Sequence, residues 1–330
     1  MGDVETTTND TAVRAAATQS VTLDDLLELL DLERLDPVRP DPVRLDPVRP
    51  GQAAEPGDDV AVTSGAQHWR GQPQAQPDDR TFGGLLLAQG LVAAGRTAAT
   101  DQRVVSLQAD FIGGVPADQP MHWQVDMVSD ARSLSTRRST LLADDGSELF
   151  TATTRWATTR EDLPSWSSQE PAQVPGPETL QDLADRHRDD PRIPAWWRIE
   201  RPVHFRHVEP PPYLAPESVT DRQTVHLRAT SDLPDDPVIR AAVAAYVTDM
   251  SLLEPAYRAL GASRHKPGSR ILSLTHGITF HREPDLSTWH QFDTHVGIVA
   301  HGRALGDGDL FDSSGRHVLS TTQLGLVKTV

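Results

Sequence analysis

The sequence predicts an α+β fold made of two similar units, each a long apolar helix followed by an antiparallel meander. Three observations carry this. The stretches LLLAQGLVAAG, residues 85–95, and PVIRAAVAAYVTDMSLL, Pro237 to Leu253, are apolar nearly all the way round, as buried helices are. Strand-like runs follow each one: VVSLQADFI, HWQVDMV, SLSTRRSTLLA and LFTATTRWAT after the first, then ILSLTHGITFH, WHQFDTHVGIV, ALGDGDLF and HVLSTTQLGLV after the second. The order also repeats in detail. Ser106-Leu107 precedes Trp123 much as Ser273-Leu274 precedes Trp289, Pro116 and Pro284 fall in matching turns, Arg132 and Arg303 follow, and Gly146 and Gly315 lie ahead of the two last strands.

Residues 1–59 read as an arm. Its first 20 residues are polar and predicted to lack fixed structure. Thr22 then opens a short leucine-rich helix within 22–34, with Asp25 placed for a capping box and Leu23, Leu26, Leu27 and Leu30 on one stripe. Three pentapeptides, DPVRP, DPVRL and DPVRP, run from Asp36 to Pro50, and proline at that density favours an extended spacer. Residues 60–160 form the first unit, with a turn at Asp145-Gly146. Residues 161–200, rich in proline, serine and acid, read as a linker carrying a short amphipathic helix near Thr179 to Arg188. Residues 201–330 form the second unit.

The net charge of −16 is concentrated in two places: residues 1–60 carry −9 and residues 161–200 carry −5, which leaves −2 for the rest. The acidity therefore says little about a site, and the want of a basic patch disfavours nucleic acid. The absence of cysteine excludes disulfides and thiolate chemistry and fits a reducing compartment. No apolar run suggests a secretory signal or a membrane span, so a cytoplasmic protein is expected. The histidines His204, His207, His276 and His281 lack the spacing and acidic neighbours of a metal site, so neither metal nor cofactor is expected. A G-x-S-x-G elbow and a P-loop are also missing.

Asp249 is the anomaly of the second helix. Asp236 is a good N-cap and Pro237 suits the first helical position, but Asp249 has Ala242, Ala245, Tyr246, Leu252 and Leu253 as its helical neighbours. A buried carboxylate without partners is expensive, so it is either satisfied from elsewhere or kept for chemistry. Laying one half over the other sets Gln89 opposite Asp249, Ser106 opposite Ser273 and Thr154 opposite Gln323, so only the second half holds an acid there. An acid, a hydroxyl and an amide together suit activation of water. Strand alternation by itself gives Ser273, with Thr275 and Thr279, a solvated face.

The stretches LLELLDLERL, HWRGQ, FGGLLLAQGL, RSLSTRR, YVTDMSLLEPA, ILSLTHGITFHR and VLSTTQLGLVK, in that order, resemble the acyl-CoA thioesterase II family. The resemblance covers residues 21–34 and 62–330 and implies a double hotdog fold. It also implies a catalytic trio of Asp249, Ser273 and Gln323 that hydrolyses an acyl-CoA thioester with water directly, Asp249 as base, and with helix-start N–H groups at Gly83 and Gly84 receiving the oxyanion. Arg132, Arg137, Arg138 and Arg303 are candidates for the coenzyme A phosphates, and His276 for the substrate site. Thr275 and Leu134 depart from the family's usual residues. The alternative is an acyl-CoA or acyl-carrier binding protein of this fold without turnover. A homo-oligomer is expected, because hotdog sheets leave faces that pair again.

Overall fold

A computed structural model of the chain describes residues 21–35, 65–74, 80–191, 193, 198–210, 212, 219–264, 266 and 268–329. The first 20 residues and the DPVR repeat lie outside the described residues. Helix α1, Leu23–Leu30, begins with the capping box, Thr22 and Asp25 each bonding the other's backbone, and buries Leu23, Leu26 and Leu30. Strands β1, Glu33–Leu35, and β2, Gln67–Gly71, pair in front of helix α2, Gly83–Gly95. The meander is β3, Gln102–Phe111, β4, Met121–Asp130, β5, Leu134–Leu142, and β6, Glu148–Thr158.

The second half repeats this plan. Strands β7, Val203–His207, and β8, Arg222–Ala229, precede helix α4, Pro237–Ser251. A short helix α5, Glu254–Ala259, follows, then β9, Arg270–Phe280, β10, His290–Ala300, β11, Arg303–Asp312, and β12, His317–Lys328. Asp236 caps α4 through the N–H groups of Val238 and Ile239, with Pro237 in the first turn. The predicted helix was continuous to Leu253, whereas α4 ends at Ser251. Pro255 explains the break, since it has no N–H to give to the Ser251 carbonyl.

The twelve strands of the described residues form one antiparallel sheet in the order β1-β2-β4-β5-β6-β3-β9-β12-β11-β10-β8-β7, joined at the middle by β3 and β9. Each half has the same strand order counted outward from that seam, so the molecule is two hotdog units, each a sheet wrapped on a central helix. Register irregularities coincide at one sequence offset: at Val104/Ser106 and Ser273/Thr275, at Met127/Ser129 and Val296/Ile298, and at Leu141/Leu142 and Leu310/Phe311. Matched bulges fix the equivalences. Thr154 is the counterpart of Gln323, as read from sequence, but Val104 and not Ser106 is the counterpart of Ser273, and Trp123 corresponds to Phe292 and not to Trp289.

Gln89 is not a relic of an acid. It is fully buried, donates to the carbonyls of Leu29 (2.7 Å) and Gln72 (2.9 Å) and accepts from Trp123 Nε1 (3.0 Å), so it ties α1 and β4 to α2. Residues of the 161–200 stretch lie along the second unit: Ala172 bonds Asp293 and Gln291, Pro175 accepts from His226, Pro177 accepts from Arg206, and Leu183 on helix α3, Leu183–His187, is buried. Gln89→Leu leaves the buried Trp123 N–H without a partner and releases the Leu29 and Gln72 carbonyls, and a loss of about 2 kcal/mol is expected in urea unfolding.

Candidate active site

Helices α2 and α4 pack so closely that side chains are excluded at one end of their contact. A Cβ on Gly84 would lie 2.5 Å from the carbonyl oxygen of Tyr246, and one on Gly83 would lie 2.7 Å from Asp249 Oδ2. Glycine there lets the first turn of α2 rest on the last turn of α4. The N-cap residue Phe82 offers that turn no side-chain cap; the N–H of Leu85 bonds the Phe82 carbonyl, and the N–H of Gly84 bonds the Asp249 carboxylate.

Asp249 meets the other two members of the trio here. Ser273 Oγ on β9 donates to Asp249 Oδ1 at 2.9 Å, Gln323 Nε2 on β12 donates to the same oxygen at 2.6 Å, and Gln323 Nε2 also reaches Ser273 Oγ at 2.7 Å. Strands β9 and β12 are neighbours, and Gln323 pairs with His276 in their ladder. The bulge between Ser273 and Thr275 breaks the alternation that had set Ser273 on a solvated face, and turns its hydroxyl toward the helix. The Asp249 side chain is 4 % exposed. Burial pushes its carboxyl up to about 6, against the donors Ser273, Gln323 and Gly84 and the charge of Arg264, which all favour ionisation.

The trio lies on the wall of a cleft of about 390 Å³. Phe82, Leu86, Phe111, Ile112, Met250 and Ile271 give it an apolar lining, and Arg80, Arg201 and Arg264 add positive charge. Of the residues singled out from sequence, Gly83, Asp249, Ser273 and Gln323 line this cleft, and Gly84 sits behind it against Tyr246. Arg132, Arg137, Arg138, His276 and Arg303 do not line it. Arg137 is buried inside the first unit, donating to Thr97, to the Ser129 carbonyl and to Asp130, which is a structural task. His276 is buried behind Asp249.

The equivalent place in the other half is filled. Trp156, the counterpart of Gly325, packs with Val238 against Gly95, and its Nε1 donates to Thr154 Oγ1 at 2.9 Å. Sequence comparison suggested a site that had lost its acid. The structure shows one occupied by an indole.

A second buried acid, Glu254, was not foreseen. It opens α5, is 1 % exposed, accepts from Gln223 Nε2 (2.9 Å), pairs with Arg264 (2.7 Å) and has His207 Nε2 at 3.4 Å. Burial would raise it, but His207, Arg264 and Gln223 together outweigh burial and hold it at about 2. Its only sequence signal is an acid beside Pro255 after an apolar helix, which reads equally as a cap. Among the described residues no His, Asp and Glu side chains are grouped to hold a metal ion, and no helix is long and apolar enough to cross a membrane.

The acyl-CoA thioesterase N-terminal domain model matches residues 72–157, and the acyl-CoA thioesterase C-terminal domain model matches residues 171–327. The chain belongs to the acyl-CoA thioesterase family. Within that family it is 25% identical to human acyl-coenzyme A thioesterase 8 over 272 residues, spanning 79% of this chain and 84% of that protein. It is 22% identical to acyl-CoA thioesterase 2 of Haemophilus influenzae over 270 residues, 79% of this chain and 92% of that one. Among solved structures, a tesB protein of Mycobacterium avium subspecies paratuberculosis superposes with a TM-score of 0.69 at 25% identity, covering 93% of this chain and 99% of that chain. The acyl-CoA thioesterase II TesB2 of Mycobacterium marinum gives 0.64 at 27% identity, covering 80% and 93%. This thioesterase is thus a double hotdog of the TesB kind.

The low value of Glu254 fixes a sign for its effect on stability. A carboxylate held below its ordinary 4.5 contributes stability above that pH, and the contribution is lost as pH falls toward about 2. Glu254→Gln is expected to cost about 3 kcal/mol at neutral pH. Urea titrations at stepped pH should show the gap to wild type narrowing below 4.5.

Proposed function

We propose that this chain hydrolyses acyl-CoA thioesters to the free acid and coenzyme A by direct attack of water, with Asp249 as general base and Ser273 and Gln323 holding the water. The observation that carries the reading is the convergence of three side chains from α4, β9 and β12 on one point of an apolar cleft, beside the start of α2. A base needs a proton affinity near the working pH, and an acid raised to about 6 meets that need where an ordinary aspartate does not. The hydroxyl and amide supply the donors and acceptors that fix a water's orientation.

The acyl chain lies along Phe82, Leu86, Phe111 and Met250, and the carbonyl carbon meets the water at the trio. The oxyanion then forms next to Gly83, where backbone N–H groups and the helix dipole favour negative charge. Arg80 and Arg201 offer counter-charge to the phosphates of coenzyme A, the task first expected of Arg132, Arg137, Arg138 and Arg303. The first unit contributes α2 and the second contributes the trio. One chain therefore holds both walls of the site, and a homo-oligomer is not required to complete it.

Asp249→Asn tests the reading. Release of thiol from a panel of acyl-CoAs should fall by about 10³-fold with the fold retained. Wild-type turnover by a folded variant would sink the assignment, and a wild-type enzyme that binds acyl-CoAs without releasing thiol would favour the non-catalytic alternative. For wild type, log kcat should rise with pH and level off above about 6, because the base is active only when ionised. Gly83→Ala, which puts a methyl group against Asp249 Oδ2, should lower kcat by about 10²-fold in the same assay.

A further inference from the structure

His276 is fully buried on β9, three residues beyond Ser273, and its ring is held between two threonines. Its Nε2 lies 3.0 Å from Thr248 Oγ1 on α4 and 3.0 Å from Thr321 Oγ1 on β12. A threonine hydroxyl has one hydrogen to give. That of Thr248 goes to the Ala245 carbonyl (2.8 Å), and that of Thr321 goes to the Gly277 carbonyl (2.9 Å). With their hydrogens on those carbonyls, both hydroxyls accept from the imidazole, and this arrangement places the ring hydrogen on Nε2. Burial lowers the pKa of His276 to about 3, so the ring is neutral and carries one hydrogen.

Nδ1 is then a bare lone pair. It has no hydrogen-bond partner and stands 3.8 Å from Asp249 Oδ1. Ser273, Gln323 and the Gly84 N–H all donate to Asp249, and donors favour the carboxylate. His276 is different, because it turns an acceptor toward an acceptor.

We propose that His276 is a positioning residue for the proton-bearing form of Asp249: anchored through Nε2–H on Thr248 and Thr321, it presents the unprotonated Nδ1 to the hydrogen that Asp249 carries after taking it from water. The proposal rests on the reading of Asp249 as the base. In the first step one water O–H bond breaks, its proton goes to Asp249, and the water oxygen bonds the thioester carbon while the carbonyl electron pair moves to oxygen. In the second the carbonyl re-forms, the C–S bond breaks, and the proton passes from Asp249 to the thiolate. Between the steps Asp249 is a neutral acid; with the hydrogen on Oδ1 that oxygen accepts from Ser273 alone, Gln323 Nε2 donates to Ser273 Oγ at 2.7 Å instead, and Oδ1 and Nδ1 become complementary. His276 stays neutral throughout.

Other charged or titratable groups on the same cleft are Tyr246 on α4, Glu254 on α5, Arg264 beyond it, and Arg80, Glu200 and Arg201 from the loops. They are common to every variant compared below. His276→Leu and His276→Asn are of similar size, but only asparagine keeps an acceptor where Nδ1 stood. In pH profiles of kcat, His276→Leu should lower the plateau about tenfold and move the acid limb down by about one unit, because the carboxylic acid loses its acceptor. His276→Asn should recover most of the rate and return the limb to its wild-type position. Equal profiles for the two variants would overturn the proposal. Should the leucine variant not fold, ring nitrogen-15 NMR of the wild-type protein decides: a protonated Nε2 and bare Nδ1 support the proposal, and a hydrogen on Nδ1 overturns it. Failure here is separable from failure of the base assignment, since an active Asp249→Asn enzyme sinks both, whereas an inactive one with unmoved His276 profiles sinks only the role of His276.

Discussion

The structure depends on one close contact, the first turn of α2 against the last turn of α4. Two glycines make it possible, and it places a carboxylate from one unit under the helix start of the other. Taking Asp249 out of water is costly, and three donors from three different elements offset part of that cost. The balance leaves the acid near 6, neither as weakly acidic as burial alone would make it nor as strong as its donors would. The seam between β3 and β9 and the ion pair of Arg96 with Asp236 (2.8 Å), at the far end of the same helix pair, hold the two units in the register this contact needs.

The two halves share bulges and strand order, yet only one end of the helix pair is open. At the other end Trp156, the counterpart of Gly325, packs with Val238 against Gly95, and its Nε1 satisfies Thr154. A large buried indole stabilises its surroundings, while a cleft lined with apolar side chains leaves surface exposed that could have been buried. The duplication thus supports a division of labour, one end of the pair giving stability and the other giving access.

Much of this was legible. The N-cap at Asp236, Pro237 in the first turn, the capping box at Thr22 and the eight meander strands follow from local chemistry and from pattern, whereas the grouping of Asp249 with Ser273 and Gln323 comes from the family resemblance. What failed did so for physical reasons. The two tryptophans at 123 and 289 drew the halves into a wrong register, because aromatic residues are prominent whereas the bulges that set the true offset leave no mark on residue type. Arg137 was given to substrate because a sequence shows charge and not burial, and its guanidinium is spent on Thr97, Ser129 and Asp130. Arg80, Arg201 and Arg264 come from separate loops and meet only through the fold.

Asp249 and Glu254 put the original question about buried acids in its sharpest form. They stand five residues apart, both are removed from water, and their pKa values separate in opposite directions, to about 6 and about 2. The difference lies in the partners. Glu254 pairs directly with Arg264 and sits against His207 and Gln223, so it is held as the carboxylate at neutral pH. Asp249 has no direct ion pair with an arginine: it takes neutral donors from Ser273, Gln323 and Gly84 and only a Coulombic contribution from Arg264, and burial prevails. Environments that push neighbouring acids apart in this way separate a structural role from a chemical one. An aspartate in an apolar helix is therefore informative only together with what faces it, and here what faces it leaves the carboxyl raised to about 6 and not locked in an ion pair.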